Sequence, residues 1–89
     1  MASPGYTIYL VSERCPICEE FGNLGFVKIP GQEIVSLMCD ECSFTFPEPT
    51  CIAVDTAMHL RVPVRWASFE EIQASGFAAL VSNQYSSSA

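Results

Sequence analysis

Cys15-Pro16-Ile17-Cys18 and Cys39-Asp40-Glu41-Cys42 are the two stretches that decide how this chain folds. In each, two residues separate two cysteines, the spacing at which one short turn aims two sulfurs at a single tetrahedral ion. The twenty residues between the pairs are enough for a hairpin that brings the two turns together. This pattern predicts a closed structural site for one Zn²⁺ per chain, with Cys15, Cys18, Cys39 and Cys42 as ligands. Four thiolates leave no position for water, so the site reads as structural rather than catalytic. Two disulfides, unliganded thiols or an iron–sulfur cluster are the alternatives on ligand type alone, and a hairpin between the pairs favours zinc.

An 89-residue chain is one domain, near the size at which a hydrophobic core needs an added staple. A hydrophobic fraction of 49% with six Phe argues for a folded globule, while apolar runs such as Cys51 to Val54 are far too short to cross a bilayer. Met1 to Ser12 has no basic region ahead of an apolar core and does not read as a secretory signal. The expected compartment is the cytoplasm, where thiols at metal spacing are ligands more often than disulfides. Four Lys and Arg against ten Asp and Glu give a net charge of −6. Four thiolates around one Zn²⁺ take the loaded chain to about −8.

That balance disfavours nucleic acid, because ribbons that grip phosphates use Lys and Arg. Between Cys15 and Cys42 the chain has only Lys28 against Glu19, Glu20, Glu33, Asp40 and Glu41. A basic protein surface is the better-matched partner, with association that weakens as salt rises. Glu19, Glu20, Asp40 and Glu41 are the candidate contacts, since nothing in the local structure accounts for them. Trp66, between Arg65 and Ala67, is a candidate anchor as well as a packing residue. Acidity also serves solubility with no partner at all.

Tyr6 to Ser12 is β-branched and aromatic and predicts a strand with Tyr6, Ile8 and Leu10 on one face and Thr7, Tyr9 and Val11 on the other. Gly22 and Gly25 relax the backbone before Phe26 to Ile29, and Glu33 to Leu37 returns. Pro30-Gly31 suits the centre of a type II turn and marks the hairpin tip. Ser43 to Phe46 predicts a further strand with both Phe rings on one side, ended by Pro47-Glu48-Pro49. Thr50 to Leu60 is weakly patterned, and Arg61 to Trp66 is extended because Pro63 removes a donor. Ser68 and Glu71 form a capping box, with Phe69, Ile72, Phe77 and Leu80 as the apolar stripe and a break at Gly76. The expected fold is α+β: a zinc-ribbon sheet of about four strands packed with one C-terminal helix. Residues 1–81 form the domain, and the polar stretch 82–89 is expected to fray.

Cys15-Pro16-Ile17-Cys18, a glycine-containing hairpin, Leu37-Met38-Cys39-Asp40-Glu41-Cys42 and then Phe46-Pro47-Glu48 resemble the zinc-ribbon family. The likeness is to small bacterial ribbons with a C-P-x-C…C-x-E-C pattern, and Ser68 to Phe77 loosely resembles a helix that follows in such proteins. Glu19 and Ser43 stand where many ribbons place Gly, after the second cysteine of a knuckle. Ribbons serve in transcription, translation, assembly and toxin neutralisation, so the resemblance implies fold and metal more than function.

Cys51, in the apolar context Thr50 to Ala53, reads as a small buried side chain, and His59, the only histidine, as an exposed or core-edge imidazole. No phosphate loop, nucleophile elbow, H-E-x-x-H or carboxylate pair is present, which predicts no enzyme. The expected function is a non-catalytic, zinc-stabilised protein-binding module, in its sharpest form a bacterial immunity protein that blocks a basic toxin domain. An accessory ribbon of the transcription or translation machinery is the alternative, and it requires a basic face. A redox or metal-handling role requires labile metal and reactive thiols.

Overall fold

The computed structural model describes residues 6–18 and 22–87. Its centre is the hairpin of β2 (Asn23–Lys28) and β3 (Ser36–Cys39), paired antiparallel with Leu24 opposite Cys39 and Phe26 opposite Leu37. Gly31 has φ of 85°, and the Gln32 N–H donates to the Ile29 carbonyl at 3.0 Å, so the expected turn at Pro30-Gly31 forms. The strands lie a few residues closer to the knuckles than the apolar pattern predicts, because the sheet continues up to Cys39.

β1 (Tyr6–Arg14) lies on the other side of β2, and β4 (Thr45–Phe46) extends the sheet beyond β3. The β1–β2 register shifts between Leu10 and Arg14, which places two extra residues on β1. β5 (Arg65–Trp66) pairs with the far end of β2, setting Trp66 opposite Val27 and Arg65 opposite Lys28. The polar stretch that reads as a fraying end contains β6 (Asn83–Ser87), antiparallel to β1 from Tyr6↔Ser87 to Leu10↔Asn83. Among the described residues the sheet therefore has six strands, in the order β4-β3-β2-β1-β6 with β5 on β2, rather than about four. Unpaired N–H and C=O groups along the outer edge of β1 are the physical reason: backbone pairing recruits a strand even where side chains are polar.

One face of the sheet holds the core. Leu24, Phe26, Leu37, Phe46 and Ile72 are fully buried there, joined by Cys15 and Cys39. Phe77 stacks on Phe26 with ring centroids 6.4 Å apart, and Tyr9 meets Phe69 at 5.5 Å. Phe69 and Phe77 come from α1 (Phe69–Ala74) and the residues after it. Helix α1 spans only six residues and is followed by a short 3₁₀ turn at Ala78–Leu80 and by β6, so the one α-helix among the described residues covers the core from within the chain. The capping box forms, with Ser68 Oγ accepting from the Glu71 N–H and the Glu71 carboxylate accepting from the Ser68 N–H. At the other end Gly76 takes φ of 85°, the Phe77 N–H donates to the Ile72 carbonyl and the Gly76 N–H to the Gln73 carbonyl, a complete Schellman stop. The predicted break at Gly76 therefore holds.

The opposite face carries Ile8, Leu10 and Trp66. A Cβ at Gly25 would lie 2.5 Å from Ile8 Cγ2 and 2.9 Å from Trp66 Cζ3, so this glycine is the gap through which the two side chains meet over the sheet.

Candidate metal centre

Two turns at one end of the sheet carry the sulfurs. Cys15 follows β1, and its N–H donates to the Gly22 carbonyl at 3.1 Å, closing the first knuckle. Cys39 ends β3; its N–H donates to the Phe44 carbonyl at 3.0 Å, and the Ser43 N–H donates back to the Cys39 carbonyl at 3.2 Å. The knuckles are held together across Asn23 and Asp40. The Asp40 N–H donates to the Asn23 carbonyl at 3.0 Å, while the Asn23 N–H donates to Asp40 Oδ1 at 2.9 Å.

The four sulfurs converge. Cys15 Sγ lies 3.6 Å from Cys42 Sγ, Cys18 Sγ lies 3.5 Å from Cys39 Sγ, and all four are within 4.8 Å of one another. A disulfide is excluded at these separations, since its sulfurs lie about 2.05 Å apart. A tetrahedral ion with metal–sulfur bonds of about 2.3 Å sets its sulfurs about 3.8 Å apart, close to the spacing found. Cys15 and Cys39 are buried, and Cys18 and Cys42 half-buried. The Glu41 and Cys42 N–H groups point at Cys39 Sγ from 3.3 and 3.4 Å, the donors a thiolate needs to carry negative charge out of water.

The acidities point the same way. The hydrogen bond its S–H donates to Cys42, then burial, pushes the Cys18 thiol far above the ordinary range. Burial raises Cys39 as well. Cys42 is lowered: burial opposes this, and a backbone hydrogen bond from Phe44 together with the neighbouring thiols outweighs it. Cys18 and Cys39 thus resist losing their protons on their own, and a cation among the sulfurs supplies what their ionisation requires. The donor set fits one tetrahedral, thiophilic metal ion. It is coordinatively complete, with no position for a reacting water.

Gly22 is a site residue that spacing rules do not single out. A Cβ there would sit 2.1 Å from Cys39 Sγ, so a side chain at this position would displace a ligand. Ser43 has φ of 64°, the left-handed conformation that Gly takes in many ribbons.

The other candidates are dispersed. Asp40 and Glu41 are exposed on the second knuckle, and Glu19 and Glu20 lie outside the described residues. Trp66 is half-buried on the outer face of the sheet, where it shares with Asp40 a concavity of about 600 Å³ that also includes Ile8, Leu10, Asn23 and Tyr85. Tyr85 went unmarked because it lies in the stretch that reads as a tail. Cys51 is exposed, contrary to the expected burial, and is not one of the four clustered sulfurs. The apolar run around it forms no strand; the Cys51 N–H closes a turn onto the Glu48 carbonyl at 2.9 Å, and Pro49 is buried in its place. His59 is exposed, its ring 5.4 Å from that of Phe44.

What the fold and centre define is a class: a small antiparallel module built around a zinc-ribbon-like four-cysteine metal site. No protein-family model, curated protein or solved structure matches the chain. Among the described residues no helix is long and apolar enough to cross a membrane.

Proposed function

We propose that the chain is a non-catalytic, zinc-stabilised protein-binding module of the zinc-ribbon type that acts in the cytoplasm on a basic protein partner. Its sharpest form is a bacterial immunity protein whose acidic knuckle face blocks a cognate toxin domain. One observation carries the proposal: a complete four-sulfur centre whose outer turn presents Asp40 and Glu41 to solvent, on a chain of net charge −6. A complete thiolate shell fits a structural ion rather than a reaction. Surplus negative charge at a rigid turn fits electrostatic steering toward a positive surface.

The accessory-ribbon alternative draws on Arg61 and Arg65 near Trp66. Arg65 is paired with Glu71, so a carboxylate already answers its charge. Lys28, opposite Arg65 across β2 and β5, donates to the Gln32 carbonyl and keeps its positive charge. Cations this few make a small patch for gripping phosphates.

The test is native mass spectrometry of the chain purified from the cytoplasm, followed by capture of partners at low and high salt and binding to heparin at low salt. One zinc per chain, and a basic protein captured at low salt and released at high salt, are the expected results. A toxin gene beside the coding sequence would support the immunity form, whereas a housekeeping operon would count against it. Retention on heparin with no basic protein captured would transfer the case to the nucleic-acid reading.

A further inference from the structure

We infer that the concavity on the outer face of the sheet receives a lysine or arginine side chain of the partner protein, an inference that rests on the proposed basic partner. This recess is separate from the core. Ile8, on its floor, is only 7% exposed, yet it lies outside the buried cluster around Leu24 and Phe26. Leu10 and Trp66 complete an apolar floor, Tyr85 stands at the side with 55% of its surface exposed, and Asp40 supplies the one charged side chain of the lining among the described residues.

That combination matches a long aliphatic stem with a cationic head. The stem packs on Ile8 and Leu10, the head meets a carboxylate, and the aromatic Trp66 and Tyr85, which line the same recess, are the side chains to which a cation is attracted. Asp40 is set for this role. Its Oδ1 is tied to the Asn23 N–H at 2.9 Å, and its second oxygen has no partner among the described residues. A neutral apolar side chain seated here would strip water from a carboxylate and give it nothing in return. An anion would be repelled. The metal centre has a part too, because Asp40 follows the ligand Cys39 directly, so the zinc-held knuckle fixes the carboxylate at the rim.

The test uses the zinc-loaded full chain and follows fluorescence of Trp66, the only tryptophan, during titration with three blocked peptides of one length. Two carry alternating alanine with arginine or with lysine, and the third has norleucine at the same positions. A saturable response to the charged peptides, absent with norleucine, is expected. Asp40→Asn keeps the oxygen that accepts the Asn23 N–H, so the knuckle survives, and zinc stoichiometry checks that it does. This substitution and Tyr85→Ala are each expected to weaken binding about tenfold. An equal response to norleucine would overturn the inference. Salt-sensitive peptide binding that leaves Trp66 unperturbed and ignores both substitutions would also overturn it, while the acidic-module reading stands. No binding of either charged peptide would overturn both.

Discussion

At the scale of single residues, the metal centre depends on two positions that are not ligands. Gly22 has its missing Cβ where Cys39 Sγ already sits, 2.1 Å away, so Gly22→Ala must move either a ligand or the backbone that carries Cys15. A shift imposed on one ligand by its surroundings lowers metal affinity by about 10–100-fold, and we expect that range in competition against a chromophoric chelator. Unchanged affinity would show that the sulfur has room to move. Ser43 presents the opposite case. It holds φ of 64° without being glycine, a conformation that strains a side-chain-bearing residue by about 1–2 kcal/mol. Ser43→Gly relieves that strain and returns part of it through a more flexible unfolded chain, for a net gain of about 0.5–1 kcal/mol. The zinc-loaded variant should melt roughly 2–8 °C higher. An unchanged or lower melting temperature would count against strain at this position.

At the scale of elements, the short helix α1 is held by its ends. The Glu71 carboxylate caps the Ser68 N–H at 2.9 Å and also grips both Arg65 nitrogens at 2.7 and 2.5 Å, tying β5 to the first helical turn. Arg65, above all, and then the Ser68 N–H lower the Glu71 pKa to about 2. The sign follows: an acid depressed below its unfolded value of about 4.3 adds stability that is fully present above that pH and lost as pH falls toward 2. Between pH 7 and 4 the carbon-13 shift of the Glu71 carboxyl should stay flat, whereas in Arg65→Ala it should already move by pH 4. A wild-type shift that moves as early would refute the assignment. Because Arg65 is largely exposed and Gln keeps an oxygen for the Ser68 N–H, Glu71→Gln should cost no more than about 1 kcal/mol in urea unfolding at neutral pH, through the lost ion pair. The cap, the Pro30-Gly31 turn and the alternation of β1 are legible in sequence because each rests on neighbours a few residues apart. β6 is not legible: Asn83–Ser87 is polar, and its reason to be extended is the open edge of β1, over seventy positions away. The same divide runs through the sites. Cysteine spacing announces the sulfurs, whereas the outer recess gathers Ile8, Asn23, Asp40, Trp66 and Tyr85 from four strands and a knuckle, and no local pattern links them.

At the scale of the whole molecule, the sulfurs and the hydrophobic core form one structure. Cys15 and Cys39 are fully buried members of the cluster that holds Leu24, Phe26, Leu37, Phe46 and Ile72, so the ion site forms as the core closes. In such an arrangement the binding energy of the metal is folding energy, and a domain of this size has little core stability to spare. Chelation should therefore abolish the fixed environment of Trp66 in near-ultraviolet circular dichroism together with the far-ultraviolet sheet signal. Cys39→Ser should have the same effect even with zinc in excess, because it removes a sulfur that accepts two backbone N–H groups inside the core. Cys51→Ser is the matched control. Its sulfur is exposed and lies apart from the other four, so the variant should keep one zinc per chain and its melting temperature should stay within about 2 °C of the wild type. If the metal-free chain kept both signals, the core alone would account for the fold, and the four cysteines would need another explanation. If Cys51→Ser lost zinc, the ligand set itself would have to be redrawn.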